Sequence, residues 1–322
     1  MPAHHEIHAA PGTVHWGYFD AALEPVLTVE SGDSVTLHCV SGQPEDLPPE
    51  PFPALPGHRE IHAQIKPRLG AHIITGPVAI AGAEPGDMLE VRIRSVELRQ
   101  DWGYNTIRPL RGTLPEDFPR LRRLHISIDR AAHTARLPWG TVVPLRPFFG
   151  IMGVAPPPHY GAVSSIEPRE FGGNMDNKEL IAGSTLFLPV WAPGALFSAG
   201  DGHAVQGDGE VCLTALETSL SGTFELVLHK RYGLKFPRAV TPTHYITMGM
   251  DPDLDDAARQ ALREMIALIG ELAALAPEDA YTLCSLACNL RVTQLVDGNK
   301  GIHAMLARSL LPGAPALPPR PA

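Results

Sequence analysis

Thirty glycines and thirty-three prolines in 322 residues, close to a fifth of the chain, limit how long any regular segment can run. Proline removes a backbone donor and fixes φ, and glycine favours turns, so this density predicts short strands joined by many turns rather than long helices. The length allows one large domain or two to three interlocked subdomains. Hydrophobic residues make up 44% and charged residues 19%, an ordinary globular balance. A formal charge of −9 argues against a nucleic-acid partner, which needs a concentrated basic face. The two short basic runs, Arg108 to Arg111 and Arg120 to Arg123, lie beside acids and are expected to be solvated loops.

Four irregularly spaced cysteines, Cys39, Cys212, Cys284 and Cys288, argue against a disulfide framework and predict free thiols. The first residues carry neither a basic segment nor an apolar one, and no run of about 18 apolar residues exists. The expectation is a cytoplasmic protein without a membrane partner.

Val26 to His38 alternates around Ser31-Gly32-Asp33 and reads as a β-hairpin. Six prolines between positions 43 and 58 predict a long loop or lid. A strand then leads through Pro85-Gly86-Asp87 into another, with Leu89, Val91 and Ile93 on one face. The stretch from 100 to 160 is loop-heavy, and β signal returns over Thr185–Val190, Glu210–Leu216 and Phe224–Leu228. The one strong helical period joins Ala258, Leu262, Met265, Ile266, Ile269 and Leu272, after capping candidates Asp251 and Asp253. A second helix is expected from Pro277 to about Ala287, then a strand over 290–296 and a turn. The division is a mainly β core over 1–240, an integral α+β part over 241–311 with helices packed on a sheet, and a tail over 312–322. The class is α+β, mainly β.

Chemistry concentrates in two segments. There is no nucleophile elbow, phosphate-binding loop, dinucleotide fingerprint or His-Glu-x-x-His. Cys39 beside His38 is a poor nucleophile candidate, because neighbouring strand residues point to opposite faces. Gly200 to Glu210 is richer: Asp201 and His203, two apart, leave an extended backbone from the same face and suit two ligands of one ion. A regular hairpin turning at Asp208-Gly209 would hold Glu210 roughly 13 Å from His203 at about 3.3 Å per residue, so a shared site requires a bulge or an irregular loop. Gly172-Gly173-Asn174-Met175-Asp176 suggests a tight bend presenting a carboxylate and backbone N–H groups. The bland alternatives are a surface turn there and a glycine-rich hairpin with a solvated histidine at 203. His15, in an aromatic-dense stretch, is a candidate pocket wall. His4, His5 and His8 are expected to be solvated, and His62, His72 and His244 have no partner legible from spacing.

Together these segments resemble the acetamidase/formamidase family. The likeness runs from about Val26 to Val296, through Val26–Asp33, Ser41-Gly42-Gln43, Gly76-Pro77 to Asp87, Gly150–Pro156, Gly172–Asp176, Gly183–Val190 and Gly200–Cys212. It implies hydrolysis of a short amide to a carboxylate and ammonia, on a β-sandwich-containing fold that assembles into dimers or larger homo-oligomers. It implies a divalent metal, with zinc preferred for an imidazole ligand and calcium as the alternative. Asp176, Asp201 and His203 are carried over as ligands, and Glu210, or failing it Glu217, as acid/base. Gly173 and Asn174 would offer oxyanion N–H groups. The chain departs from the family at Gly202, where members often carry a larger apolar residue, in the Pro44 to Arg68 loop and at the His15-Trp16-Gly17-Tyr18 entry. Two rivals remain: the same fold acting on a larger or cyclic amide, and a non-catalytic β protein binding a small ligand.

Overall fold

The computed structural model describes residues 2–49 and 52–315. Two sheets face each other, and helices cover the outer side of one of them. Among the described residues the first sheet has nine strands, in the order His4–His8, Ser34–His38, Leu220–His229, Met88–Leu98, Thr185–Pro189, Arg238–Val240, His244–Asp251, Lys300–Ala307 and Asn289–Gln294. The second is built around Phe197–Val205, which pairs antiparallel with Phe148–Gly153, with Ile73–Ile80 and with the short Leu216–Glu217 strand.

The core lies between the sheets. Leu89, Val91 and Ile93 point inward as their period-two spacing predicts, and meet residues such as Ile151, Phe197 and Ala199 of the opposite sheet. Phe224 stacks edge-on against Phe149 at 5.5 Å and Phe197 at 5.3 Å across the gap. Burying one such ring stabilises the fold by roughly 1.5–3 kcal/mol. Met88 and Phe187 point the other way, into a second cluster beneath the helices.

The long helix α2 spans Leu254–Ala273, after the short α1 at His58–Gln64. Asp253 caps it, its carboxylate accepting from the N–H groups of Asp255 at 2.8 Å and Asp256 at 3.2 Å. Its buried residues Ala257, Ala261, Met265, Leu268 and Ile269 form the stripe against the sheet; of the predicted period Met265 and Ile269 are buried, and Ala258, Leu262, Ile266 and Leu272 flank the stripe partly buried. Helix α3, Pro277–Ala287, begins with the proline as expected. The whole is α+β and mainly β.

Several local expectations are corrected. The turn at Ser31-Gly32-Asp33 exists, but its flanking strands do not pair. Leu27–Val29 runs parallel to Ile73–Ile80 in one sheet, while Ser34–His38 pairs in the other. A turn signature fixes a reversal of direction and says nothing about which sheet each arm joins. Residues 210–215 form turns and irregular chain rather than a strand, with only Leu216 of the expected segment in one, and the 100–160 region holds five strands within 102–153. In the 312–322 stretch, Tyr245 Oη donates to the carbonyls of Ala314 and Pro315, so that part is docked; residues 316–322 lie outside the described residues. Among the described residues no helix is long and apolar enough to cross a membrane.

Candidate active site

Phe197–Val205 carries both residues of the Asp-x-His pair. On this strand Asp201 and His203 leave from the same face, and His203 Nε2 lies 3.2 Å from Asp201 Oδ2. Gly202 between them points the opposite way, and a Cβ there would stand 2.4 Å from the Thr218 carbonyl oxygen. That contact accounts for glycine at the position where the family resemblance calls for a larger side chain.

Glu217, on the neighbouring strand in register with His203, brings Oε1 to 3.2 Å from the same Nε2. Asp176 Oδ1 is 3.8 Å from Nδ1, and Glu210 Oε1 is 4.0 Å from Nε2. Glu210 arrives because the chain does not form the regular hairpin that would hold it away. The strand ends at Val205, and the following loop is clipped to the 289–294 strand region by Gly209 N–H to Val292 O and Leu295 N–H to Gly209 O. Asp176, Asp201 and Glu210 all have positive φ (49°, 54° and 46°), a backbone region that costs non-glycine residues energy and clusters at functional sites.

The close packing needs Gly150. A Cβ there would stand 2.4 Å from Asp176 Oδ1, 2.7 Å from Asp201 Oδ2 and 2.9 Å from His203 Cε1. The four carboxylates Asp176, Asp201, Glu210 and Glu217, with His203 buried among them, form part of the wall of a cavity of about 170 Å³, whose lining also includes His72, Tyr104, Asn174, Asp297, Arg108 and Arg111. Gln43 and Asp46 of the proline-rich loop line it too. Asp46 is held by Arg123 Nε at 2.8 Å and Arg108 Nη2 at 3.4 Å, which pins this loop to the wall.

Electrostatics divide the acids. Burial pushes Glu217 up to about 7, reinforced by Asp201 and opposed by His203. Burial and then Asp176 hold Glu210 well above the carboxylate range, and burial raises Asp176 against the pull of His203. Burial, then Asp176 and Glu210, raise Asp297 strongly, and Asp297 shares a hydrogen bond with Asp176. At Asp201 burial acts upward, but His72 and His203 outweigh it and keep this group ionised. Burial disfavours a charged His203, yet Glu217 and Asp201 raise its pKa well above the usual value.

Gln206 fixes the ring. Its Nε2 donates to the carbonyls of Asp176 at 3.0 Å and Thr293 at 3.3 Å, which leaves Oε1 facing His203 Nδ1 at 2.9 Å. An acceptor there requires the proton on Nδ1, so the neutral ring presents a lone pair from Nε2 to the carboxylates. His203 Nε2, Asp176 Oδ1, Glu210 Oε2, Glu217 Oε2 and Asp297 Oδ2 are buried without hydrogen-bond partners. Two overlapping triads, Asp176-His203-Glu210 and Asp201-His203-Glu217, have ligand atoms within 4.8 Å of one another. One imidazole and several carboxylate oxygens with orphaned buried atoms fit a divalent cation, which would compete with the proton for Nε2.

Residues 7–162 and 158–308 match the model of the acetamidase/formamidase family. The chain belongs to this family. Among solved structures, it is similar to an acetamidase from Yersinia enterocolitica at 29% identity and TM-score 0.85, over 96% of this chain and 93% of that one. It is similar to an acetamidase from Bacillus halodurans at 28% identity and TM-score 0.82, over 95% and 100%. A formamidase of Methylophilus methylotrophus is 25% identical over 256 residues, 59% of this chain and 61% of its own length. The chain spans about half to three fifths of the length of the curated relatives it matches, at 47%, 61% and 49%. The mainly β, α+β class is that of the family's solved structures.

Of the sequence-selected residues, Asp176, Asp201, His203, Glu210 and Glu217 come together, and Asn174 lines the cavity with a buried, unpartnered Oδ1. Gly173 does not line it; its α-carbon side faces Phe171 and Phe19. His15 does not line it either. Its Nδ1 bonds the Tyr18 carbonyl at 2.6 Å and its Nε2 meets Ser198 Oγ at 3.2 Å, so it is a buried structural histidine. Arg108 to Arg111 is an exposed turn, as expected, and its two arginines also reach the cavity wall. Gly150, Gln206, Asp297 and His72 were not singled out; only the Gly150–Pro156 and Gly200–Cys212 motifs hinted at the first two. Cys39 is buried with its thiol pushed up to about 12 by burial, which removes it as a nucleophile.

Proposed function

We propose that this chain hydrolyses a short carboxylic amide to the carboxylate and ammonia. The observation that carries the reading is the convergence of Asp176, Asp201, Glu210 and Glu217 on one cavity wall around His203, with buried atoms of Asp176, His203, Glu210 and Glu217 left without hydrogen-bond partners. A cavity of about 170 Å³ suits a substrate of a few heavy atoms.

Asp176, Asp201 and His203 would hold the divalent ion, zinc by preference and calcium as the alternative. When bound, such an ion supplies Lewis acidity toward the carbonyl and lowers the pKa of water toward about 7. Glu217, close to neutrality, takes the proton of the attacking water and can return it to the departing nitrogen. Glu210, which keeps its proton at higher pH, is the second acid on the same side. Asn174 and the ionised Asp201 orient the amide, and Gln43 and Asp46, at the start of the proline-rich stretch, wall the cavity. We further assign the protein to a reducing cytoplasm, consistent with four free cysteines, and to a homodimer or larger homo-oligomer.

The test is ammonia release from a graded amide panel, before and after chelation and metal return, in wild type and His203→Ala. Recoverable turnover in wild type alone supports the assignment; undiminished turnover in His203→Ala ends it. A second reading extends the substrate to an amide bearing an acidic group, because Arg111 joins Arg108 in the cavity lining. An acidic amide in the same panel, tested with Arg111→Ala, separates the two.

A further inference from the structure

The edge strand His4–His8 lies on the other sheet from His203 and is joined to it only through Ser34–His38. His4, Glu6 and His8 alternate along it and so share one face. The parallel register places His8 beside His38, and the two rings stack with centroids 4.2 Å apart and planes 10° apart. Glu6 Oε2 lies 3.9 Å from His8 Nε2 and 3.7 Å from His38 Nε2.

Ser221 Oγ, 2.7 Å from His38 Nδ1, orients that ring from the other side. His38 Nε2 is buried and has no hydrogen-bond partner. One atom from each of Glu6, His8 and His38 lies within 4.8 Å of the others. His4 lies outside this group: its Nε2 stands 3.8 Å from the second oxygen of Glu6, and its nitrogens face Ser34 Oγ and Thr36 Oγ1.

We propose that Glu6, His8 and His38 form a second, surface binding site for a borderline divalent cation such as zinc, one that clamps the edge strand to its neighbour. Two imidazoles and a carboxylate are a ligand set for zinc, with a fourth position open to water. An ion held this way bridges two strands at the sheet margin, where pairing is one-sided. Sequence spacing reads His8 as solvated because its partner, His38, sits thirty residues further on.

The test is zinc titration by calorimetry on protein whose His203 centre has first been filled, comparing wild type with His8→Ala, Glu6→Gln and His5→Ala. His8 and Glu6 are exposed, so these variants keep the fold. Wild type and His5→Ala should take up a further equivalent of zinc that His8→Ala and Glu6→Gln bind at least tenfold more weakly. Hydrogen exchange over residues 4–8 should slow with zinc only where that equivalent binds. The same isotherm in wild type and His8→Ala, or zinc uptake that leaves exchange over 4–8 unchanged, overturns the proposal.

Discussion

Gln206 Oε1 stands 2.9 Å from His203 Nδ1, and this contact decides which nitrogen of His203 faces the acids. Removing the acceptor frees the ring to carry its proton on Nε2, toward Asp201 and Glu217. Gln206→Leu is therefore expected to weaken divalent-ion affinity about 10–100-fold, the usual cost of losing a ligand's outer partner. Calorimetric metal titration measures it, and unchanged affinity would separate the tautomer from function.

Gly150 sets how closely the acids approach. In Gly150→Ala the new methyl meets Asp176 Oδ1 and Asp201 Oδ2 well inside contact distance, so these carboxylates must move. A displacement near 1 Å at reacting groups costs on the order of 10²-fold in rate. Turnover of the best amide should fall by that factor while circular dichroism stays that of the wild type.

If Glu217 acts as base it must be ionised, so kcat/KM should rise with pH and level off above about 7. Glu217→Gln should lose that limb and about 10²–10⁴-fold of the rate. A limb that persists in the variant assigns the base elsewhere.

The same shift has a stability consequence. Glu217 is raised in the folded protein from the ordinary 4.5 to about 7, so the fold binds this proton more tightly than the unfolded chain does. Its contribution is present below pH 4.5 and is lost as pH rises through 7, a change of about 3 kcal/mol at 1.36 kcal/mol per unit. Chelated protein should lose stability across that window in denaturant titrations. Adding a divalent ion should restore it at the alkaline end, and Glu217→Gln should flatten the dependence.

What was legible in the chain follows the range of each interaction. Asp201 and His203 were readable because strand geometry sends alternate side chains to one face, and α2 was readable from its stripe and its Asp253 cap. Glu210 was readable only conditionally, since regular pairing would hold it far from His203; the irregular loop after Val205 meets that condition. Asp297, His72 and Gly150 come from distant segments, and no local period marks them. The hairpin expected over 26–38 failed for a related reason, because its arms are claimed by Ile73–Ile80 and Leu220–His229.

Asp297 occupies the turn between Asn289–Gln294 and Lys300–Ala307, the two strands that close the far end of the nine-stranded sheet. During synthesis the Asp201 and His203 pair leaves the ribosome about a hundred residues earlier, at roughly 5–20 residues per second. The nascent chain thus carries an unfinished cluster of acids for several seconds. A ribosome stalled before that turn would release a polypeptide that has its imidazole and most of its carboxylates, and an open wall where Asp297 belongs.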